Sequence, residues 1–266
     1  MIADGGAAVE LHGFVWEWEW ELPLLIALLA VEGGYFAVRA WSARRGRERD
    51  RSRSALAYFT AGILVVAFAV VSPIGANDER LLSMHMLEHD LLMWVAAPLM
   101  VLGVMPLLAK ADWMPALARR SVILVTRPAT AVTIATVFVW AWHAPSAYGL
   151  ALTNDAAHAV EHLCYLVAYF IYWWPLIAAP SVIGGLRSNA ARAGYLIAGS
   201  LQSGLLAALL AFADEPWYPH YLHVPGATAA SALADQGLAG ALMLYPGAIV
   251  FLFAAVLTIR TRERER

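Results

Sequence analysis

The stretch that decides the fold is residues 83–108, SMHMLEHDLLMWVAAPLMVLGVMPLL, because it joins a histidine-rich start to a long apolar run. No charged residue occurs between Asp90 and Lys110. A helix needs roughly 20 apolar residues to cross the ~30 Å hydrocarbon core of a bilayer. The run therefore predicts a membrane-spanning helix that carries its histidines at one end.

The composition of the whole chain supports the same interpretation. Hydrophobic residues make up 61% of the 266 residues and charged residues only 14%, whereas soluble domains have roughly 45–50% apolar and about 25% charged residues. The apolar runs lack the alternation of membrane β-barrel strands, and only helices and closed barrels satisfy the backbone in lipid. The sequence predicts an all-α, polytopic helical membrane bundle, with residues 1–266 as a single transmembrane domain. About seven transmembrane helices are expected, at residues 22–41, 55–73, 83–108, 122–143, 157–179, 193–213 and 236–259.

The links between these runs alternate between basic and acidic. Of the 18 Lys and Arg residues, only Arg80 falls in the acidic set of links. Because cytoplasmic loops of membrane proteins are enriched in Lys and Arg, the pattern predicts an N-terminus outside and a C-terminus in the cytoplasm. The abundance of Ala and Arg, with Lys110 as the only lysine, favours a prokaryotic plasma (inner) membrane.

All eight histidines fall on the side predicted to be outer. His85 and His89 begin the third span, His158 and His162 begin the fifth, and His143 ends the fourth. Both pairs have the spacing H-x-x-x-H, which places two imidazoles one turn apart on one helix face, where a single ion binds both. Ionisable residues at membrane depth are costly and mark functional sites. Two identical pairs at one depth therefore predict a metal site at the extracytoplasmic face.

Carboxylates accompany both histidine pairs. Each pair reads H-x-x-E-H, so that Glu88 and Glu161 stand beside the second histidine, where a carboxylate binds metal directly or orients an imidazole. Asp235, with Gln236, begins the seventh predicted span at the same level, where it is also placed to cap the helix. The candidate metal ligands are His85, His89, His143, His158, His162, Glu88, Glu161 and Asp235.

The metal is predicted from the types of side chain nearby. Imidazole suits copper, zinc, iron and nickel, and thioether ligands favour Cu(I). Met84 and Met86 flank His85, Met93 lies two turns further along, and Met243 lies in the last span. Copper is therefore the expected metal, with zinc as the alternative, although each methionine also suits a packing role.

The remaining histidines are His12 in the N-terminal tail and His220 and His223 in the link at residues 214–235. This link is the one with room to act as a lid over the site. The sequence assigns no role to these three histidines.

Four blocks, in order, resemble the signature of the CtaG family of cytochrome c oxidase assembly factors of the multi-span type. They are MHMLEH at 84–89 leading to APLMVLG at 97–103, WHAP at 142–145 followed by Tyr148, Ala151 and Leu152, His158-x-x-Glu161-His162 leading to WWP at 173–175, and Asp235-Gln236 with Gly240 and Met243. The blocks lie within about residues 55–255. The resemblance implies a protein that helps to assemble a haem–copper oxidase by handling copper at the outer face. Its partners would be oxidase subunit I or other copper-handling proteins, within the lipid bilayer and without nucleic acid.

The leading hypothesis is a copper-binding assembly factor, without catalytic residues, that helps to deliver or insert copper into the oxidase. Five imidazoles exceed the needs of one Cu(I) ion, so a two-ion site or a relay between two sites is an alternative to a single site. A second hypothesis is a membrane metalloenzyme similar to a zinc hydrolase, because H-x-x-E-H is also the inverzincin pattern. A haem-binding membrane protein and a purely structural scaffold are the further alternatives.

Overall fold

A computed structural model describes residues 13–45, 53–108, 114–178 and 185–264. Within these residues every regular element is helical, which confirms the all-α prediction. The helices are α1 Leu22–Arg44, α2 Arg53–Val71, α3 Leu82–Asp90, α4 Ala97–Leu108, α5 Ala116–Val125, α6 Pro128–Trp142, α7 Pro145–Ala151, α8 Asp155–Ile177, α9 Asn189–Ala211 and α10 Ala229–Arg264. Short 3-10 turns occupy Gly75–Asn77 and Pro219–Leu222.

Candidate membrane-crossing helices are present where the first, second, third, fifth and sixth spans are predicted. Five helical stretches are long and apolar enough to cross a bilayer: Leu22–Arg44, Arg53–Asn77, Leu82–Leu108, Asp155–Ile177 and Asn189–Ala211. The seventh predicted span, residues 236–259, falls within α10, and the side chains of the second half of α10 lie outside the described residues. The count of seven and the orientation of the termini therefore stay predictions.

The fourth predicted span, residues 122–143, is bent rather than continuous. Helices α5 and α6 meet at an angle of 68°, and together they give a sixth candidate span. Arg127 between them is extended, with φ −61° and ψ 135°, and Pro128 begins α6. Proline lacks an N–H and holds the preceding residue in extended conformations, so α5 cannot continue into α6.

The third span, Leu82–Leu108, contains a π-helical turn at Leu91–Ala96 between α3 and α4. The N–H of Ala97 donates to the carbonyl of Leu92, five residues earlier. Pro98 follows directly, and its missing N–H would interrupt an α-helical ladder at this point. Such turns occur frequently at functional sites, and this one begins two residues after His89.

Close helix contacts hold the centre of the bundle together. Helix α9 packs along α10, α2 along α4, α6 along α8, and α3 against α10. At the α9–α10 contact a Cβ on Gly240 would lie 2.6 Å from the backbone nitrogen of Ala211 and 2.7 Å from the carbonyl oxygen of Ala207. Only glycine allows this approach, because both contacts are with backbone atoms.

Helix α1 stands at the periphery and packs mainly on α2. Tyr35 anchors it, since its ring stacks on Phe59 at 3.9 Å and its hydroxyl donates to the carbonyl of Gly103 at 2.8 Å. Of the residues in the most apolar part of α1, only 6% are buried within the protein. The peripheral position of α1 leaves space between it and α8.

Candidate metal centre

The two predicted histidine pairs meet where α3 and α8 both begin, which we call the histidine end of the bundle. His85 and His89 lie one turn apart on α3, with ring centroids 4.3 Å apart. His158 and His162 have the same relation on α8, at 4.2 Å. The two helices face each other. The ring centroids of His85 and His158 are 5.3 Å apart, and so are those of His89 and His162. Four imidazoles therefore surround one small volume.

The first potential ligand group, which we call the closed group, contains His85, His89, His158 and Glu161. One ligand atom from each residue lies within 4.8 Å of the others. Glu161 Oε2 is 3.7 Å from His85 Nε2, and Glu161 Oε1 is 3.9 Å from His89 Nε2. His85 and Glu161 are 0% exposed and His89 is 1% exposed. Solvent does not reach these three side chains.

The second group, which we call the open group, contains Glu88, His158 and His162. Glu88 Oε2 lies 3.7 Å from His162 Nε2, and Asp78 Oδ2 lies 3.4 Å from His158 Nε2. Glu88 is fully buried, whereas the side chains of His158 and His162 are 19% and 15% exposed. The two groups share His158, and they differ in their access to solvent.

The ligand atoms of both groups are buried without a hydrogen-bond partner in the described part of the protein. In His85 and His89 these atoms are the two ring nitrogens, and in Glu88 and Glu161 they are the two carboxylate oxygens. In His158 and His162 the atom is Nε2. Buried polar groups are normally paired because an unpaired one costs folding free energy. Tetrahedral coordination with bonds of ~2.0–2.2 Å places ligand atoms about 3.3–3.6 Å apart. The Glu–His separations of 3.7 to 3.9 Å are close to that value and too long for hydrogen bonds. These donors fit a metal ion.

Two predicted ligands, His143 and Asp235, belong to neither group. His143 Nδ1 lies 2.8 Å from the Val139 carbonyl oxygen and 3.1 Å from the Tyr165 hydroxyl, while its Nε2 is buried without a partner. The carboxylate of Asp235 accepts hydrogen bonds from the hydroxyl and the N–H of Ser83, which ties α10 to α3.

The prediction that Asp235 caps a helix is wrong, because α10 begins at Ala229, six positions earlier. Thr228 and Ser231 form the cap instead: Ser231 N donates to Thr228 Oγ1 at 3.1 Å, and Thr228 N donates to Ser231 Oγ at 2.8 Å. Asp235 thus lies in the second turn, where its side chain faces α3.

The other histidines and the methionines have contacts of their own. His220 Nε2 lies 2.9 Å from the carbonyl oxygen of Glu79, and His223 Nδ1 lies 2.8 Å from that of Pro219. His12 lies outside the described residues. Three of the methionines belong to the main hydrophobic core, namely Met86, Met93 and Met243.

The link between α9 and α10, residues 212–228, folds over the histidine end as a lid. The ring of Tyr218 stacks on Tyr148 at 3.9 Å. The Tyr221 hydroxyl donates to the carbonyl of Asp78 at 2.9 Å and lies 2.7 Å from the Tyr148 hydroxyl. Tyr148 itself contacts His85, with ring centroids 4.9 Å apart. The lid and α7 therefore cover the closed group from this side.

Sequence reasoning missed the tyrosines of the lid and the contact of Asp78 with His158. The available signal was an aromatic pattern in the link, where Trp217, Tyr218 and Tyr221 surround His220. Aromatic side chains with a hydroxyl combine apolar contact with a directed hydrogen bond. This combination holds the lid against the bundle.

Replacing Tyr221 with phenylalanine is expected to loosen the lid, because the Asp78 carbonyl and the Tyr148 hydroxyl both lose a buried partner. The expected cost is about 1–3 kcal/mol, measured as a lower midpoint of thermal unfolding in detergent. Tyr245→Phe is the matched control, because Tyr245 is 66% exposed. Equal midpoints for the two variants would contradict the role given to Tyr221.

A cavity of about 870 Å³ lies between α1, α2, α3 and α8. Glu88, His158 and His162 line it, whereas the other three members of the closed group do not. Its deeper walls are apolar, with Leu28 and Val66 among the lining side chains. Towards the histidine end its lining is mainly acidic, and this acidic rim consists of Glu19, Glu21, Asp78, Glu79 and Asp155, with Arg80 beside them.

The carboxylates of the acidic rim destabilise one another's charged forms. Burial, followed by the neighbouring Glu79 carboxylate, raises the pKa of Asp78 to about 8. Burial also raises the pKa of Glu21, with further contributions from Glu19 and Asp155. Groups of like charge in a partly buried site create a local potential that favours counter-ions. A cation at the mouth of the cavity would lower these raised pKa values and stabilise the ionised carboxylates, so the rim is suited to binding cations.

These features define a class of protein: a helical protein with several helices long and apolar enough to cross a membrane, and with buried histidine–carboxylate groups of metal-ligand type at one end. A family model described as cytochrome c oxidase caa3 assembly factor (Caa3_CtaG) matches residues 33–264. Because the match covers most of the chain, the chain belongs to this family, and the family implies a role in cytochrome oxidase assembly. The comparison with curated proteins and that with solved structures give no match. The resemblance found in the sequence blocks is confirmed.

Proposed function

We propose that this chain binds copper at the histidine end and helps to deliver it to a haem–copper cytochrome oxidase, without catalysing a reaction. The observation that carries this proposal is the set of buried ligand atoms that have no other partner, gathered from two H-x-x-E-H segments into two groups. A structural scaffold would leave such atoms unpaired at a cost in stability. A metal-binding role accounts for them.

The family and the donors support copper as the proposed cargo. Membership of an oxidase assembly family points to a cofactor of the oxidase, and copper is a metal that imidazole side chains bind directly. His143, with its unpartnered Nε2, would serve as a further ligand after a rotation of its ring. Asp235 would act by holding α10 against α3.

The location of the site at the extracytoplasmic face of a prokaryotic plasma membrane rests on the positive-inside pattern. Lys and Arg avoid the histidine end, with Arg80 as the exception in the acidic links. A site there would meet the oxidase, most directly its subunit I, within the same membrane. Co-purification of a tagged chain with subunit I, lost when the oxidase is not expressed, is the corresponding binding test.

The metal content of the detergent-purified protein tests the proposal. The wild type is expected to retain about one or two copper ions per chain after matched copper and zinc exposure and desalting. A variant with His85, His89, His158 and His162 all replaced by alanine is expected to retain none. The control variant His220→Ala/His223→Ala changes histidines outside both groups and is expected to bind as the wild type does.

The outcome also separates the alternatives. Circular dichroism and size-exclusion chromatography establish that the quadruple variant is folded. Equal copper in the wild type and a folded quadruple variant would refute the site. Retention of zinc in preference to copper would favour the metalloenzyme hypothesis, in which a glutamate acts as general base on metal-bound water.

A further inference from the structure

The two ligand groups differ in how a metal ion reaches them. Lid tyrosines cover the closed group on one side, where Tyr148 and Tyr218 are 0% and 3% exposed. The three residues that belong to the closed group alone are His85, His89 and Glu161, and they do not line the cavity between α1 and α8. The open group forms part of the wall of that cavity. From this cavity an ion thus has a direct approach to the open group, whereas His85, His89 and Glu161 of the closed group do not line it.

We propose that the open group is an exchange site, through which metal ions enter and leave the closed group from the cavity between α1 and α8. This inference rests on the metal-binding function proposed above. It assigns different tasks to two sites that share a helix pair: Glu88 and His162 accept and release the ion, and His85, His89 and Glu161 retain it.

His158 makes transfer between the groups possible, because it belongs to both. An ion that moves from one group to the other keeps His158 as a ligand while the remaining ligands are replaced in turn. A bare ion in the low-dielectric interior would be very unfavourable. Stepwise replacement avoids that state, and both groups offer carboxylate and imidazole donors of the same chemistry.

Glu88 is the second feature that points to exchange at the cavity. It is 0% exposed, it lines the cavity, and neither carboxylate oxygen has a hydrogen-bond partner among the described residues. The acidic rim lines the same cavity, towards the histidine end. A cation attracted by the rim therefore meets Glu88 and His162 before it reaches the residues that only the closed group contains.

The test measures release of Cu(I) rather than binding alone. Protein loaded with one equivalent of Cu(I) is mixed with an excess of a water-soluble chromogenic Cu(I) chelator, and transfer is followed by absorbance. Glu88→Gln keeps the side-chain shape and removes the charge. This variant is expected to retain one Cu(I) per chain in the closed group but to release it about tenfold more slowly than the wild type.

A second variant tests the route without altering a ligand. Ala159 is exposed on α8 and lines the cavity beside His158. Ala159→Trp is expected to fill the mouth of the cavity and to slow release by about tenfold. Val160→Trp is the matched control, because Val160 is 50% exposed and is not a lining residue of this cavity. It is expected to release Cu(I) at the wild-type rate.

The results separate this inference from the proposed function. A wild type that takes up no Cu(I) would overturn both. Wild-type uptake, with unchanged release rates in Glu88→Gln and Ala159→Trp, would overturn the exchange route alone. Complete loss of Cu(I) in Glu88→Gln would show a single site instead of two, and would likewise overturn it. Slow release in both variants, with full Cu(I) content, supports it.

Discussion

Replacing His158 with alanine is expected to weaken metal binding more than any other single substitution of a ligand. His158 is the one residue that belongs to both groups, so its loss leaves each group short of an imidazole. Even residues that only support a ligand contribute about 10–100-fold to metal affinity. A loss of about 100-fold or more is therefore expected for His158→Ala, measured by competition titration with a chromogenic Cu(I) chelator.

Two further variants place this result in context. His162→Ala removes a ligand of the open group only and is expected to preserve tight binding in the closed group. His223→Ala changes an exposed histidine whose Nδ1 lies 2.8 Å from the carbonyl oxygen of Pro219, and is expected to have no effect. If the affinity of His158→Ala equals that of His223→Ala, the two groups do not share a ligand and the assignment is wrong.

Local spacing in the sequence was enough to predict the elements that carry the site. The period of an α-helix places residues i and i+4 on one face, so the spacing alone predicts that His85 and His89 act together. The length of the apolar runs gave the membrane-crossing helices. Both inferences need only a few neighbouring residues, and both agree with the positions of α3 and α8.

The division of the site into two groups could not be predicted from spacing. It depends on the rotation of α3 relative to α8, which turns Glu161 towards His85 and turns Glu88 towards His162. In each H-x-x-E-H segment the glutamate faces the histidines of the opposite helix. The spacing within one helix pairs each glutamate with the histidines of the same segment. It therefore does not predict the pairing of each glutamate with histidines of the opposite helix.

Helix boundaries account for the other differences. Asp235 was expected at the start of a helix because the apolar run begins after it, yet Thr228 and Ser231 begin α10 well before the apolar run. The additional turns extend α10 beyond the apolar run at the histidine end and place Asp235 beside Ser83. Apolar runs locate the buried length of a membrane helix, and capping residues locate its end.

Replacing Gly240 with leucine is expected to separate α9 from α10 and to have the largest effect of a substitution outside the ligands. A Cβ at this position would lie 2.6 Å from Ala211 N and 2.7 Å from Ala207 O. Neither backbone atom can rotate away, so α10 must move as a whole. Overpacking in a core costs about 1–3 kcal/mol and at times more, and this contact lies at the upper end because backbone atoms are involved.

Movement of α10 would also reach the metal centre, which makes this variant a test of how the fold supports the site. Asp235 and Gln236 lie about one turn before Gly240. Asp235 accepts a hydrogen bond from the N–H of Ser83 in α3. Gln236 Oε1 accepts one from the N–H of Trp217 in the lid, at 2.7 Å. Gly240→Leu is therefore expected to reduce the yield of monodisperse protein, the thermal midpoint and the copper content together. Gly204→Leu is the matched control, because no atom beyond the neighbouring backbone of its own helix lies within 4 Å of a Cβ at Gly204. A Gly240→Leu protein as stable as Gly204→Leu would show that α9 and α10 do not pack in the way described, and would remove the support that α10 gives to α3 and the lid.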